Sequence, residues 1–116
     1  MNKQDIVRGY FRAEQTGDVE PIIAACADDV IVREVRRSPA RGKTDASAIL
    51  TDFLKIARRR EFDLHTIAQE ENVVYAWWLG DVEFRNRAVI YVSGITRFLF
   101  GDDGLIREID IGHVTG

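Results

Sequence analysis

One carboxylate stands out because it continues a short run of β-branched residues. Val30, Val32 and Glu34 alternate with Ile31 and Arg33, so a strand over this run would place Glu34 on the same face as the two valines. If the valines point into the core, Glu34 does so as well. An apolar environment raises the pKa of a carboxyl group and lets it act as a general acid or base near neutral pH. The alternative is that Glu34 lies at the rim, paired with Arg33, Arg36 or another of the many arginines.

Tyr10 and His113 are the other side chains suited to hydrogen bonding or proton transfer. Tyr10 falls in an amphipathic helical pattern, where an aromatic residue can belong to the core or offer its hydroxyl to a pocket. His113 alternates with Ile109 and Ile111 in the last predicted strand, and its ordinary pKa of about 6.5 suits proton transfer. Strands fray at their ends, so a solvent-exposed His113 remains equally open.

The composition excludes several classes of function. The 116 residues are 46% hydrophobic and 30% charged with a formal net charge of -3, which suits a globular domain and argues against a general nucleic-acid binder. The longest uninterrupted apolar run, residues 73–79, is far shorter than the ~20 residues of a membrane-spanning helix, and the N-terminus leads into no apolar signal segment. We therefore expect a single domain over residues 1–116, in the cytoplasm, with no nucleic-acid or membrane partner.

Residues that bind metals are scarce in the sequence. Cys26 is the only cysteine and His65 and His113 are the only histidines, so no cluster has the spacing of metal ligands. His65 alternates with Asp63 on the polar side of a predicted strand, and we interpret it as a surface residue. There is no glycine-rich phosphate loop either. We therefore expect neither a metal nor a cofactor.

Helical periodicity marks the first half of the chain. Asn2 can cap a first helix, which ends at Gly17, and Asp18 can cap a short second helix. A third helix is predicted to start near Thr44 or Asp45 and to end in the arginines of residues 58–60, whose charge complements its dipole. The apolar stripes are Ile6, Val7, Tyr10 and Phe11 in the first helix, Ile22, Ile23 and Cys26 in the second, and Ile49, Leu50, Phe53, Leu54 and Ala57 in the third.

Strand patterns dominate the second half of the chain. The predicted order is helix, helix, strand, helix and four strands, which indicates an α+β domain with helices on one face of a mostly antiparallel sheet. Gly-Asp-Asp-Gly at residues 101–104 is typical of a hairpin turn. The predicted strands cover residues 30–35, 62–65, 73–84, 88–100 and 105–114.

The long strand over residues 73–84 is apolar on both faces. One face carries Tyr75, Trp77 and Leu79, followed by Asp81 and Glu83, which can lie at a pocket mouth or in solvent. An antiparallel sheet with one solvated face should be polar on that side. The opposite face is apolar as well, which favours a sheet-to-sheet homodimer, although a loop or terminus can also cover such a face. The residues of the predicted dimer face are Trp78, Val82 and Phe84.

Several of these motifs together resemble the nuclear transport factor 2-like superfamily, and most closely its SnoaL-like and ketosteroid-isomerase-like branches. They are Tyr10 on the first helix, Gly17-Asp18, the segment Ala-Asp-Asp-Val at residues 27–30, and the hairpin at residues 97–106. The resemblance covers essentially the whole chain. It implies a cone-shaped domain in which a curved, mostly antiparallel sheet wraps around the N-terminal helices and leaves an apolar pocket.

The resemblance also implies roles for individual residues. Tyr10 lies seven residues before Gly17, at the spacing of the isomerase's oxyanion donor, and Glu34 lies sixteen residues beyond Asp18, at the spacing of its carboxylate base. Thr96 takes the place of the third catalytic group, a protonated aspartate in the isomerase. Thr96 is a weaker donor, so the chain departs from the family pattern there. The position of His113 lines the pocket.

The function implied is a cofactor-free isomerase, cyclase or lyase that acts on a small hydrophobic molecule. Glu34, Tyr10 and His113 would be catalytic. The alternative is a non-catalytic module of the same fold that binds a ligand or dimerises. The residues expected to bind the substrate are Trp77, Leu79, Thr96, Ile109 and Ile111.

Overall fold

The computed structural model describes residues 2–34 and 37–115. Within these residues, two helices, two strands and a third helix form the first half, and four strands follow in the second. The helices are α1 (Lys3–Thr16), α2 (Glu20–Ala24) and α3 (Gly42–Ile56), and the strands are β1 (Cys26–Glu34), β2 (Ala40–Arg41), β3 (Ala57–Glu70), β4 (Val73–Phe84), β5 (Val89–Phe100) and β6 (Ile106–Thr115). None of the described helices is long and apolar enough to cross a membrane.

The first helix begins and ends where its capping residues predict. The Asn2 side-chain oxygen accepts a hydrogen bond from the Asp5 backbone N–H at 2.8 Å, which satisfies one of the free donors of the first turn. Gly17 adopts a φ of 87° and its N–H bonds to Ala13 O, a left-handed cap that glycine adopts without strain. At the start of the second helix, the Asp18 side chain accepts a hydrogen bond from the Glu20 N–H at 3.2 Å.

The described strands form one sheet in the order β2-β1-β6-β5-β4-β3. Strands β1 and β6 are parallel, and every other neighbouring pair is antiparallel. The sheet is not closed into a barrel. The predicted α+β class with a mostly antiparallel sheet is therefore confirmed. The predicted strand end at Val35 lies outside the described residues.

The core lies between the helices and one face of the sheet, which we call the inner face. Aromatic rings of α1 meet aromatic rings of the sheet there, with the Tyr10 and Phe98 centroids 5.1 Å apart and those of Phe11 and Trp78 6.5 Å apart. The opposite side, the outer face, has no helix packed on it among the described residues. The inner-face residues of β4 are Val74, Ala76, Trp78, Gly80 and Val82.

The two faces of β4 are the reverse of those predicted from the sequence. Trp78 and Val82, expected at a dimer interface, are buried under the helices, and Phe84 follows them on the same face. Trp77 and Leu79, expected in the pocket, lie on the outer face. Alternation separated the two sets of side chains correctly. Alternation could not show which set packs against the helices, because both sets are apolar.

The arginines of residues 58–60 belong to β3, so their prediction as the end of the third helix is wrong. Helix α3 ends at Ile56, and the chain continues directly into the strand. Arg60 instead reaches the end of α1, where its Nε donates to the Glu14 carbonyl at 2.8 Å. The guanidinium therefore satisfies a free carbonyl at the C-terminus of α1, where positive charge is favourable.

Two glycines should respond in opposite ways to an added methyl group. A Cβ on Gly94 would lie 2.3 Å from Gly112 O and 2.4 Å from the Trp78 ring, whereas a Cβ on Gly9 in α1 would meet nothing within 4 Å. We expect Gly94→Ala to lower the free energy of unfolding by about 1–3 kcal/mol. Gly9→Ala should raise it by roughly 0.5–1 kcal/mol, as alanine does in a helix. Urea denaturation of both variants checks this, and a neutral Gly94→Ala would contradict the close packing.

Candidate active site

Glu34 lies at the end of β1 on the inner face, in register with Ile111 of β6. This orientation was predicted from the strand face that Glu34 shares with Val30 and Val32. Its carboxylate is partly buried, with 24% of the side chain exposed. Arg33, one of the partners considered for a rim position, points to the outer face and bonds to Glu108 and Asp110. Arg36, the other partner considered, lies outside the described residues.

His113 is a titratable neighbour of Glu34. Its Nε2 lies 3.9 Å from Glu34 Oε1, and its ring meets the Trp78 ring edge-on at a centroid distance of 5.8 Å. One third of the His113 side chain is exposed. The residue therefore has both features considered from the sequence, since it faces inward beside Ile111 and also touches solvent. The pair places an imidazole and a carboxylate together at the open edge of an apolar interior.

Thr96 and Trp78 form a buried hydrogen bond on the inner face. The indole Nε1 donates to Thr96 Oγ1 at 2.9 Å. This bond uses a lone pair of the hydroxyl and not its proton, so Thr96 can still donate. Thr96 is buried, as are Trp78 and Ile109, whereas Ile111 is partly buried. Trp78, which the sequence assigned to the other face, is thus the aromatic residue of the site.

Tyr10 is buried on α1 and donates a hydrogen bond to Glu14, one helical turn further on. Burial, reinforced by the negative charge of Glu14, raises the pKa of Tyr10 well above its usual value. The phenol therefore stays protonated and can serve as a donor. The charge of Glu34 also contributes to the raised pKa of Tyr10.

Glu14 is a functional candidate that the sequence analysis missed. Burial raises its pKa from 4.5 to about 7, while the hydrogen bond from Tyr10 and the charge of Arg60 act in the opposite direction. The charge of Glu34 adds to the rise. The available signal was spacing, because Glu14 follows Tyr10 by four residues and Val7 by seven and so shares the buried stripe of α1.

The remaining predicted residues lie away from this interior. Trp77 and Leu79 are exposed on the outer face, so the structure does not bring them together with Glu34 and His113. Asp81 lies on the outer face too, where it bonds to Arg59 at 2.9 Å. His65 is exposed, as predicted, and its ring lies 4.1 Å from that of Trp77.

A depression of about 540 Å³ opens beside the Glu34 side of the site. It brings the ends of β1 and β6 together with the segment that carries Arg37 and Pro39, so Glu34 can be approached from this side. Its lining continues onto the outer face. The residues that line it include Glu34, Ile111, Arg33, Arg37, Tyr75, Ile95 and Arg97.

Comparison with known proteins agrees with this fold. Residues 7–109 match the profile of the SnoaL-like domain family. The chain belongs to the SnoaL-like family. This family is part of the NTF2-like superfamily, so the resemblance noted in the sequence is confirmed. No curated protein is significantly similar in sequence.

Solved structures of SnoaL-like and other NTF2-like proteins share the fold at low identity. An NTF2-like protein of unknown function from Burkholderia pseudomallei superposes with a TM-score of 0.88 at 13% identity over 97% of this chain and 91% of that one. An LEH-like epoxide hydrolase from Mycobacterium tuberculosis gives 0.79 at 20% over 94% and 80%. Another M. tuberculosis protein, in complex with estradiol-17β-hemisuccinate, gives 0.80 at 19% over 93% and 90%. These likenesses establish the fold.

The raised pKa of Glu14 predicts a pH-dependent stability. The folded state binds this proton more tightly than the unfolded chain does, so the contribution of Glu14 is complete below pH 4.5 and is lost as the pH rises through about 7. We expect the loss to be on the order of 2–3 kcal/mol. Urea denaturation between pH 4.5 and 8 should show this dependence in the wild type and in Glu70→Gln, an exposed control, but not in Glu14→Gln. An identical pH profile for Glu14→Gln would contradict the assignment.

Proposed function

We propose that the chain is an enzyme that moves a proton on a small hydrophobic molecule without a cofactor, in an isomerase, cyclase or lyase reaction. The observation that carries the proposal is the Glu34–His113 pair at the open edge of an apolar interior, 3.9 Å apart. Glu34 is the general base in this proposal. His113 holds the position of the carboxylate and can relay the proton.

The donors for a developing negative charge would be Tyr10 and Thr96. Thr96 lies on the inner face and Tyr10 lies on α1, which packs against that face. Both residues are buried, and a hydrogen bond to an oxyanion is stronger there than in water. Tyr10 donates to Glu14 in the structure. When Glu14 is protonated, its carboxyl can donate to the phenol oxygen, and the Tyr10 proton is then free for a substrate oxygen.

A hydrophobic substrate fits the surroundings of these groups. Trp78 on β4, and Ile109 and Ile111 on β6, supply apolar surface on the two strands that flank β5. The steroid derivative bound by the M. tuberculosis relative supports a substrate of this class, and the relative named as an epoxide hydrolase supports proton transfer within this fold. Trp77 and Leu79 have no part in the proposal because they lie on the outer face.

A second candidate function is a module that binds a hydrophobic ligand without turnover. The close packing of Phe11, Phe62 and Trp78 in the interior favours it, because these rings occupy space that a substrate would need. In either case we propose a cytoplasmic homodimer, formed through the outer face and not through the face that carries Trp78.

Glu34→Gln should retain the fold and lose proton transfer by ~10²–10⁴-fold, because glutamine has nearly the same shape but cannot accept the proton. The measurement is deuterium exchange at the α-carbon of hydrophobic cyclic ketones, followed by NMR. Glu61→Gln, on the exposed outer side of β3, is the matched control and should exchange at the wild-type rate. Exchange that is equally fast in Glu34→Gln would exclude Glu34 as the base, and a wild type that binds the ketones without exchange would favour the binding module.

Tyr10→Phe should slow the same exchange while leaving the affinity for the apolar ketone nearly unchanged, because only the hydroxyl is removed. Ligand affinity, measured by the change in tryptophan fluorescence, separates the two effects. A variant that loses affinity and rate in the same proportion would indicate that the Tyr10 hydroxyl stabilises the core and does not contact the substrate.

A further inference from the structure

A groove beside the N-terminal helices lies apart from the Glu34–His113 pair. It is formed by α1, α2 and the start of β6, and its volume is about 250 Å³. Ile106 begins β6, whereas Ile111, the neighbour of Glu34, comes five residues later in the same strand. Five strand residues span roughly 16 Å, so the two places are separate. We call this feature the α1–α2 groove, and the residues that line it include Ile6, Gly9, Tyr10, Pro21, Ile22 and Ile106.

The walls of the α1–α2 groove are apolar and held in place by the core. Tyr10, Ile22 and Ile106 are almost fully buried, and Ile6 packs against the same cluster. The Ile106 N–H donates a hydrogen bond to the Ala25 carbonyl at 2.9 Å, which ties the end of α2 to the start of β6. The groove therefore exists before anything binds in it, as is usual for sites that take small molecules.

Gly9 leaves the α1–α2 groove open. It lies in the middle of α1, where glycine is less favourable than alanine. Its backbone is helical, and an added Cβ would meet nothing within 4 Å. Neither the backbone conformation nor a close neighbour therefore requires glycine at this position. A larger side chain would project into the groove, so the lack of one keeps the space free.

The two ends of the α1–α2 groove differ in charge. Asp5 and Arg12 line it on either side of Gly9, seven residues apart along α1, which corresponds to about 10 Å of helix. Asp5 pairs with Arg8 at 3.7 Å. The described part of the chain supplies no ion pair or hydrogen bond to the Arg12 side chain. A negatively charged group is therefore favoured at the Arg12 end and disfavoured at the Asp5 end.

We propose that the α1–α2 groove is a binding site for a small carboxylic acid with an apolar body. The carboxylate binds the Arg12 guanidinium, whose planar fork can donate two parallel hydrogen bonds to it. The apolar body packs against the isoleucines and the Tyr10 ring. Asp5 disfavours a second negative charge, so a monocarboxylate suits the groove better than a phosphate does.

The volume of the α1–α2 groove limits the size of this acid. A cavity of about 150 Å³ holds a benzene molecule. The groove, at about 250 Å³, therefore has room for an aromatic ring and a chain of a few carbon atoms. 4-Phenylbutyrate has this size and carries one carboxylate, so it is a suitable probe.

Titration of the full chain with 4-phenylbutyrate, followed by amide chemical shifts in NMR spectra, tests the site. We expect saturable shifts at Gly9, Ile22 and Ile106, with a dissociation constant on the order of 1 mM for a ligand of this size. Shifts that do not saturate, or that occur only around Glu34 and His113, would overturn the proposal.

Filling the α1–α2 groove should weaken this binding. In Gly9→Leu the new side chain occupies the groove, so we expect the affinity to fall about tenfold or more, while leucine favours the helix. Ala48→Leu is the matched control, because Ala48 is exposed on α3 and does not line the groove, and it should bind like the wild type. Circular dichroism checks that both variants are folded. Unchanged binding by Gly9→Leu would refute the site.

The uncharged analogue 4-phenylbutanol tests the role of Arg12. Arg12→Gln should weaken the binding of 4-phenylbutyrate about fivefold, because a charged hydrogen bond is lost, and should leave that of 4-phenylbutanol unchanged. Arg8→Gln is the matched control, since Arg8 is an exposed arginine of the same helix that does not line the groove. Equal losses for both ligands, or no loss for either, would refute recognition of the carboxylate. These measurements need no substrate, so their outcome is independent of the role of Glu34.

Discussion

The hydrogen bond between Trp78 and Thr96 connects the core to the candidate site. The indole packs against Phe11 of the first helix on one side and meets His113 on the other. A buried indole N–H without an acceptor costs about 1–3 kcal/mol, so the Thr96 hydroxyl is what permits so large a ring at this position. Gly94 leaves the space that the ring fills. The position of His113, and with it the contact to Glu34, follows from this one side chain.

Charged side chains lie in two different environments, on the outer face of the sheet and in the interior. Arg33 and Arg97 point outward and share their carboxylate partners there. Glu34 and Glu14 point inward. Glu14 interacts with the phenol of Tyr10, and Glu34 lies beside the imidazole of His113. Alternation along β1 thus keeps Glu34 away from the ion pairs that Arg33 makes on the outer face. The negative charge of Glu34 adds to the rise in the pKa of Glu14 that burial causes.

Local signals predicted much of this molecule, and three-dimensional context decided the rest. The caps at Asn2 and Gly17 and the orientation of Glu34 follow from backbone chemistry and period-two alternation, which neighbours do not alter. The faces of β4 could not be assigned, because Trp77 and Trp78 are equally apolar and only the packing of α1 distinguishes them. Glu14 escaped notice because a charged residue in a helix is ordinarily solvated, and its partial burial depends on strands far away in sequence.

The parallel pairing of β1 with β6 has a consequence for how the protein is made. Arg33 and Asp110, which bond across these strands, are 77 residues apart, so closing this contact costs more chain entropy than forming any neighbouring hairpin. During synthesis, β1 cannot pair with β6 until β6 has left the ribosome. Glu34 and His113 therefore meet only at the final stage of assembly, and a nascent chain has helices and hairpins before it has a site.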